Sequence, residues 1–205
     1  MKNIIPTQKE GNKLDCFESV EFSNTQTANQ AFIKAAYNLL SINDWHSITE
    51  VPAAVFQLVD SNGVLIKRPL QLHDYIRIDI PGPGLPRTEG YDWVNVIHME
   101  SKNMNEFKIL SISLKPCPDP TDHDNKDTAH FFEGIATSTL ILEQRNNSLL
   151  FQYAGRNEIP NTENHKMIDN VRNFIVGVGA ALGASYPQWK ALIKGFANQV
   201  KDLDQ

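Results

Sequence analysis

The spacing of hydrophobic positions switches between periods of two and of about four along this chain, and each switch marks a predicted element. Residues 1–14 are polar and read as a flexible leader. CFESVEFS then alternates, imperfectly, as a short strand. In the next stretch Phe32, Ala35, Ala36, Leu39 and Leu40 form an apolar stripe at helical spacing. Thr27 and Gln30 have the spacing of a capping box at its start, Asn43 and Asp44 mark its end, and Trp45 is expected to fold back against the body. From Val51 to Ile80 the period is two. AAVFQLVD meets Asn62-Gly63, a hairpin signal, and the return strand starts at VLIK, breaks at Pro69 and resumes in LQLHDYIRIDI. There Ile76, Ile78 and Ile80 face one way while Tyr75, Arg77 and Asp79 face the other. PGPGLPRTEG is a loop. YDWVNVIHME and EFKILSISLK are strands joined by SKNMN, and CPDPTDHDNKDTAH is an exposed excursion. GIATSTLILEQ and SLLFQYAGRNEI form a hairpin around Arg145–Asn147. The last third is helical, with Met167, Val171, Phe174, Ile175, Val178 and Leu182 on one face. Pro187 interrupts it or starts a new helix, in which Trp189, Leu192, Ile193, Phe196 and Val200 continue the stripe.

Strand, helix, a long antiparallel run and a closing helix predict one α+β domain over residues 15–200. Sequential hairpins cannot cover both faces of their own sheet, so a curved sheet gripping the C-terminal helix is the simplest solution. Composition narrows the function classes. Lys plus Arg is 19 against 24 for Asp plus Glu, a net charge of −5, which speaks against a surface built for nucleic acid. Cys16 and Cys117 are the only cysteines, too few for a disulfide framework or a thiolate zinc site. The N-terminal stretch lacks a signal-peptide core, and the longest apolar run, Phe174 to Ala184, is about half a membrane span. A cytoplasmic protein with no membrane span is the expectation.

The opening SVEFSNTQTANQAFIKAAYNLLSINDWHSI places a strand, a polar turn at Ser23–Gln26, a helix and then Trp45. Together with LHDYIRIDIPGPG and the closing helix from about Lys166, it resembles the START/Bet v 1-like superfamily, also described as SRPBCC or polyketide-cyclase-like domains. The resemblance spans most of residues 15–200. Two features depart from it: the opening helix leads almost directly into the sheet, and Pro187 divides the terminal helical region. The resemblance implies a helix-grip fold. It also implies non-covalent binding of a small hydrophobic or amphipathic molecule, lipids among the candidates, between sheet and helix. That superfamily has no universal catalytic signature, so a cyclase- or hydrolase-like enzyme and a protein-interaction module stay open as alternatives.

The ligand-binding set expected on this basis is Tyr75, Arg77, Trp93, His98, Phe151, Tyr153, Phe174, Val178 and Leu182. Aromatic and aliphatic members would line the cavity, and the polar ones would orient a ligand. For the enzyme alternative, His98 is the candidate acid or base, with Tyr75 and Tyr153 as hydrogen-bond donors. No catalytic residue is assigned, because no nucleophile elbow or tied Cys–His pair is present. Asp122-His123-Asp124, with Asp119, Asp127 and His130, is the densest ligand-type cluster. Its spacing matches neither an EF-hand nor HExxH, so it reads as a solvated loop, with no metal and no cofactor assigned. Gly177, Gly179 and Gly183 lie in a helical pattern and suggest close approach of helix to sheet.

Overall fold

Asn24 starts the first helix. A computed structural model of the chain describes residues 4–49, 54–79, 91–104, 107–124, 126–128, 130, 132–159 and 185–204. In it the Asn24 side chain accepts a hydrogen bond from the Thr27 amide at 2.9 Å, and α1 runs from Thr25 to Leu40. The cap thus lies three residues ahead of the predicted Thr27. Ala28, Ala31, Ala35 and Leu39 form the buried stripe of α1. The helix ends into a single 3-10 turn (Ile42–Asp44) and the one-turn α2 (Trp45–Ile48). Trp45 is fully buried as expected, and its indole N–H donates to the Asn38 carbonyl.

Seven strands follow the predicted order: β1 (Asn12–Glu21), β2 (Val55–Val59), β3 (Tyr75–Asp79), β4 (Asp92–Met104), β5 (Phe107–Pro116), β6 (Thr137–Arg145) and β7 (Ser148–Glu158). They form one antiparallel sheet in the order β1-β7-β6-β5-β4-β3-β2. The strand β1 begins at Asn12, ahead of the predicted start. The Asn62-Gly63 turn is present, with Gly63 at φ 77° and the Asp60 carboxylate taking the Asn62 and Val64 amides. Yet the chain after it makes only an isolated bridge, Leu65 to Val59, and the full return strand is β3. Asn43 explains why. Its side chain accepts from the Leu58 amide at 2.9 Å and donates to the Ile66 carbonyl at 2.8 Å, so the outer edge of β2 is already taken.

The sheet curves around α3 (Ser185–Lys201), giving the α+β helix-grip fold. Pro187 lies within the range of α3. This helix buries Leu192, Ile193, Phe196, Ala197 and Val200 and packs on β1 and β7, beside α1. Gly195 makes that packing possible. A Cβ there would lie 2.5 Å from the Ile48 carbonyl oxygen, so α3 touches α2 backbone to backbone. The predicted close-approach glycines Gly177, Gly179 and Gly183 lie outside the described residues. No described helix is long and apolar enough to cross a membrane.

Candidate functional site

Strand pairing divides the predicted site residues between the two faces of the sheet. Cys16, Tyr153, Leu140, Ile112 and Met99 are successive neighbours across β1, β7, β6, β5 and β4, and they face α3. Phe151 and Tyr153 therefore lie on the concave face, both buried. Tyr75, Arg77 and Trp93 occupy alternate positions to the inward Ile76, Ile78 and Val94, which sends them to the convex face. There Trp93 and Tyr75 pack with Val59 and Cys117 in a small second core. Arg77 donates to Gln57 Oε1 at 2.7 and 3.1 Å and stacks over the Tyr91 ring.

His98 is corrected by a bulge. The predicted face of Val94, Val96 and His98 holds through Val96, which pairs with Leu114. His98 pairs with Ser113, the very next residue on β5, so Ile97 is an extra residue in β4. One inserted residue reverses the alternation, and His98 is exposed while Met99 takes the inward place. It cannot reach a ligand on the concave face.

A second bulge acts in the opposite sense. Along β7 the inward residues are Leu149, Phe151, Tyr153 and Gly155, and strict alternation would send Glu158 outward. Instead Asn157 adopts φ 57°, a left-handed conformation that asparagine tolerates, and the register with β1 shifts there. Glu158 is turned inward and is buried. Its Oε1 accepts the Tyr153 hydroxyl at 3.1 Å, and Ser138 Oγ lies 3.0 Å from the same hydroxyl. Gly155 is the space that admits the carboxyl: a Cβ there would sit 2.2 Å from Oε1. Burial pushes the Glu158 carboxyl above its ordinary range, against the opposing pull of Tyr153 and Arg156. Burial, then the nearby carboxylate, pushes the Tyr153 phenol well up. The constellation is a short chain of exchangeable protons beside the apolar Leu140 and Phe151. Sequence reasoning missed Glu158 and Ser138. The available signal was Gly155 within a strand pattern, a mark of a bulge or a close approach.

A backbone amide and a side chain of the N-terminal segment hold this bulge in place. Asn157 Oδ1 accepts the Lys9 amide at 2.7 Å, and the Asn157 amide donates to Gln8 Oε1 at 3.0 Å. Above the concave face, the Trp189 ring stacks on Tyr153 at 4.4 Å, and Trp45, Phe56 and Phe196 meet edge to face beside it. Among the described residues, a crevice of about 10 Å³ enters here between Trp45, Thr49, Phe56, Gln188, Trp189 and Leu192. Phe174, Val178 and Leu182, the predicted helical wall, lie outside the described residues.

The other candidates are dispersed. Asp74 is held by Arg68 in a two-point ion pair at 2.6 and 2.7 Å, and the neighbouring His73 is exposed. Asp119 and Asp122 accept amides of their own loop. His130 is buried with Nε2 3.8 Å from Asp92, and burial pushes it down to about 3. Among the described residues no three His, Cys, Asp or Glu side chains converge as a metal site. Both cysteines are free and buried, and burial pushes Cys16 up to about 11 and Cys117 up to about 12, which leaves neither as a thiolate near neutrality.

No family model and no curated protein sequence matches the chain. Solved structures do. A hypothetical protein of Helicobacter pylori aligns over 92% of this chain and 88% of its own, at 9% identity and a TM-score of 0.50. A norcoclaurine synthase point mutant from Thalictrum flavum, bound to a transition-state analogue, aligns over 97% of this chain and 100% of its own, at 9% identity and a TM-score of 0.43. Ara h 8.0201 aligns over 93% and 99%, at 10% identity and a TM-score of 0.40. The likeness is one of fold. Strand order and gripped helix resemble the Bet v 1/START helix-grip superfamily, and no single member is singled out.

Proposed function

We propose that the protein binds a small, mostly apolar molecule non-covalently on the concave face, with one polar group of the ligand held at Tyr153 and Glu158. The observation that carries this reading is the buried Ser138–Tyr153–Glu158 constellation, with Leu140 opposite Tyr153 in the sheet and the Trp189 ring stacked on it. A protein that needed only a packed core would gain more from apolar residues there. A buried carboxyl and phenol carry desolvation costs that their mutual hydrogen bonds only partly offset. A hydrogen-bonding ligand group would satisfy the remaining capacity of the pair: a carbonyl can accept from protonated Glu158, and an alcohol can donate to its ionised form. Such sites are apolar with a few convergent polar groups.

The same residues favour a second reading, in which Glu158 moves a proton to or from a bound carbonyl compound. A carboxyl whose pKa burial raises is suited to that role. Native mass spectrometry after gentle purification, followed by titration with a panel of fatty acids, sterols and aromatic ketones, separates the outcomes. Binding predicts a retained or saturable ligand that is recovered unchanged. Catalysis predicts conversion of a panel member, lost in Glu158→Gln while binding persists. A chain that neither retains nor takes up any panel member contradicts both.

A further inference from the structure

The sheet has two edges, and they are finished differently. The edge of β2 is closed at Leu58 by Asn43 and Ile66. The other edge, β1, runs ten residues, and among the described residues no hydrogen bond reaches its outer side. The Phe22 amide bonds to the Asn147 carbonyl on the β7 side. By alternation, the backbone groups of Val20, Glu18 and Cys16 also face β7, whereas those of Glu21, Ser19, Phe17 and Asp15 point away from the sheet. The side chain of Phe17 is 69% exposed, an apolar ring on the rim of an open edge. Open edges of this length are ordinarily blunted, because they template pairing with another strand.

We propose that β1 docks antiparallel against β1 of a second copy of this chain, with Phe17 on the two-fold axis. The register follows from charge and from hydrogen bonding together. With Phe17 opposite Phe17 of the second copy, Asp15 lies opposite Ser19, and Lys13 opposite Glu21, each pair occurring twice. The opposed pairs Phe17–Phe17 and Asp15–Ser19 then have outward backbone groups on both chains, alternating with the non-hydrogen-bonded pair Cys16–Glu18, as an antiparallel ladder requires. Shifting the pairing by two residues in one direction sets Asp15 against Glu21. The opposite shift leaves Lys13 against Ser19. Only the centred register pairs opposite charges and opposes no like ones. Lys13 and Glu21 are both exposed, and Lys13 lies 3.2 Å from Asp15, whose other partner is Arg156. On the concave side the same register brings Leu14 against Val20. The result is one continuous sheet through both copies.

The test is sedimentation equilibrium of the full chain over a wide concentration range, with variants at exposed positions that leave the core untouched. The wild type is expected to associate from 23.1 kDa toward twice that mass. Glu21→Lys should weaken association about tenfold or more by setting two lysine pairs opposite each other, and Lys13→Glu combined with Glu21→Lys should restore it. Oxidative cross-linking checks the register. Cysteines at position 17 would face each other with Cα atoms about 5.5 Å apart, within disulfide reach, whereas cysteines at position 19 would be offset by about 14 Å. Phe17→Cys should therefore cross-link readily and Ser19→Cys should not. A wild type that stays at 23.1 kDa at several hundred micromolar, a dimer indifferent to Glu21→Lys, or equal cross-linking at both positions overturns the proposal.

Discussion

Glu158 is a carboxyl that β7 turns out of water and into an apolar face, and its ionisation opposes folding. Its folded-state pKa is raised above 4.5, so its contribution is fully present below the unfolded value and is lost as pH rises through the folded one. Glu158→Gln removes the charge and keeps the shape. Denaturant titrations of both proteins between pH 4 and 8 should therefore show the variant gaining on the wild type as pH rises. A constant offset across that range would mean that Glu158 ionises as freely in the folded protein as in the unfolded chain. The residue was not legible in the sequence because strict alternation along SLLFQYAGRNE sends it outward. Tyr153 and Phe151 were legible, since they precede the irregularity and the period of two still holds there.

At the scale of elements, helix ends and helix contacts rest on single side chains. Asn24→Ala should cost about 1 kcal/mol in thermal or denaturant unfolding, while Thr27→Ala should stay within about 0.5 kcal/mol. Equal effects would return the cap to Thr27. The difference in cap position has a physical origin: the first two turns of α1 bury Ala28 and Ala31, which are too small to register as an apolar stripe, so the large-residue pattern begins only at Phe32. In α3, alanine at position 195 would be favoured by helix propensity by about 1 kcal/mol. Contact with the Ile48 backbone should reverse that sign. Gly195→Ala is expected to destabilise by about 1–3 kcal/mol, and a stabilised variant would show that α2 yields to a methyl group. The hairpin at Asn62-Gly63 was legible as a turn. Its return strand was not, because the competitor for the β2 edge is Asn43, more than a dozen residues earlier in the chain.

At the scale of the molecule, two inserted residues decide which polar groups face the gripped helix. Element order and the α+β helix-grip architecture were legible because hydrophobic periods and turns encode them locally. The partition of Tyr75, Arg77, Trp93 and His98 from Phe151 and Tyr153 was not, because faces can be compared between strands only once the registers are known. Ile97 carries His98 to the convex side, and the Asn157 bulge carries Glu158 to the concave one. The central claim is that ligand recognition belongs to the second set. Isothermal titration with whichever panel member binds saturably tests it most directly, comparing Tyr153→Phe with His98→Gln in proteins of matched stability. The account predicts that Tyr153→Phe weakens binding about tenfold, the worth of one buried hydrogen bond, while His98→Gln stays within about twofold. Loss of affinity in His98→Gln with Tyr153→Phe unchanged would contradict it.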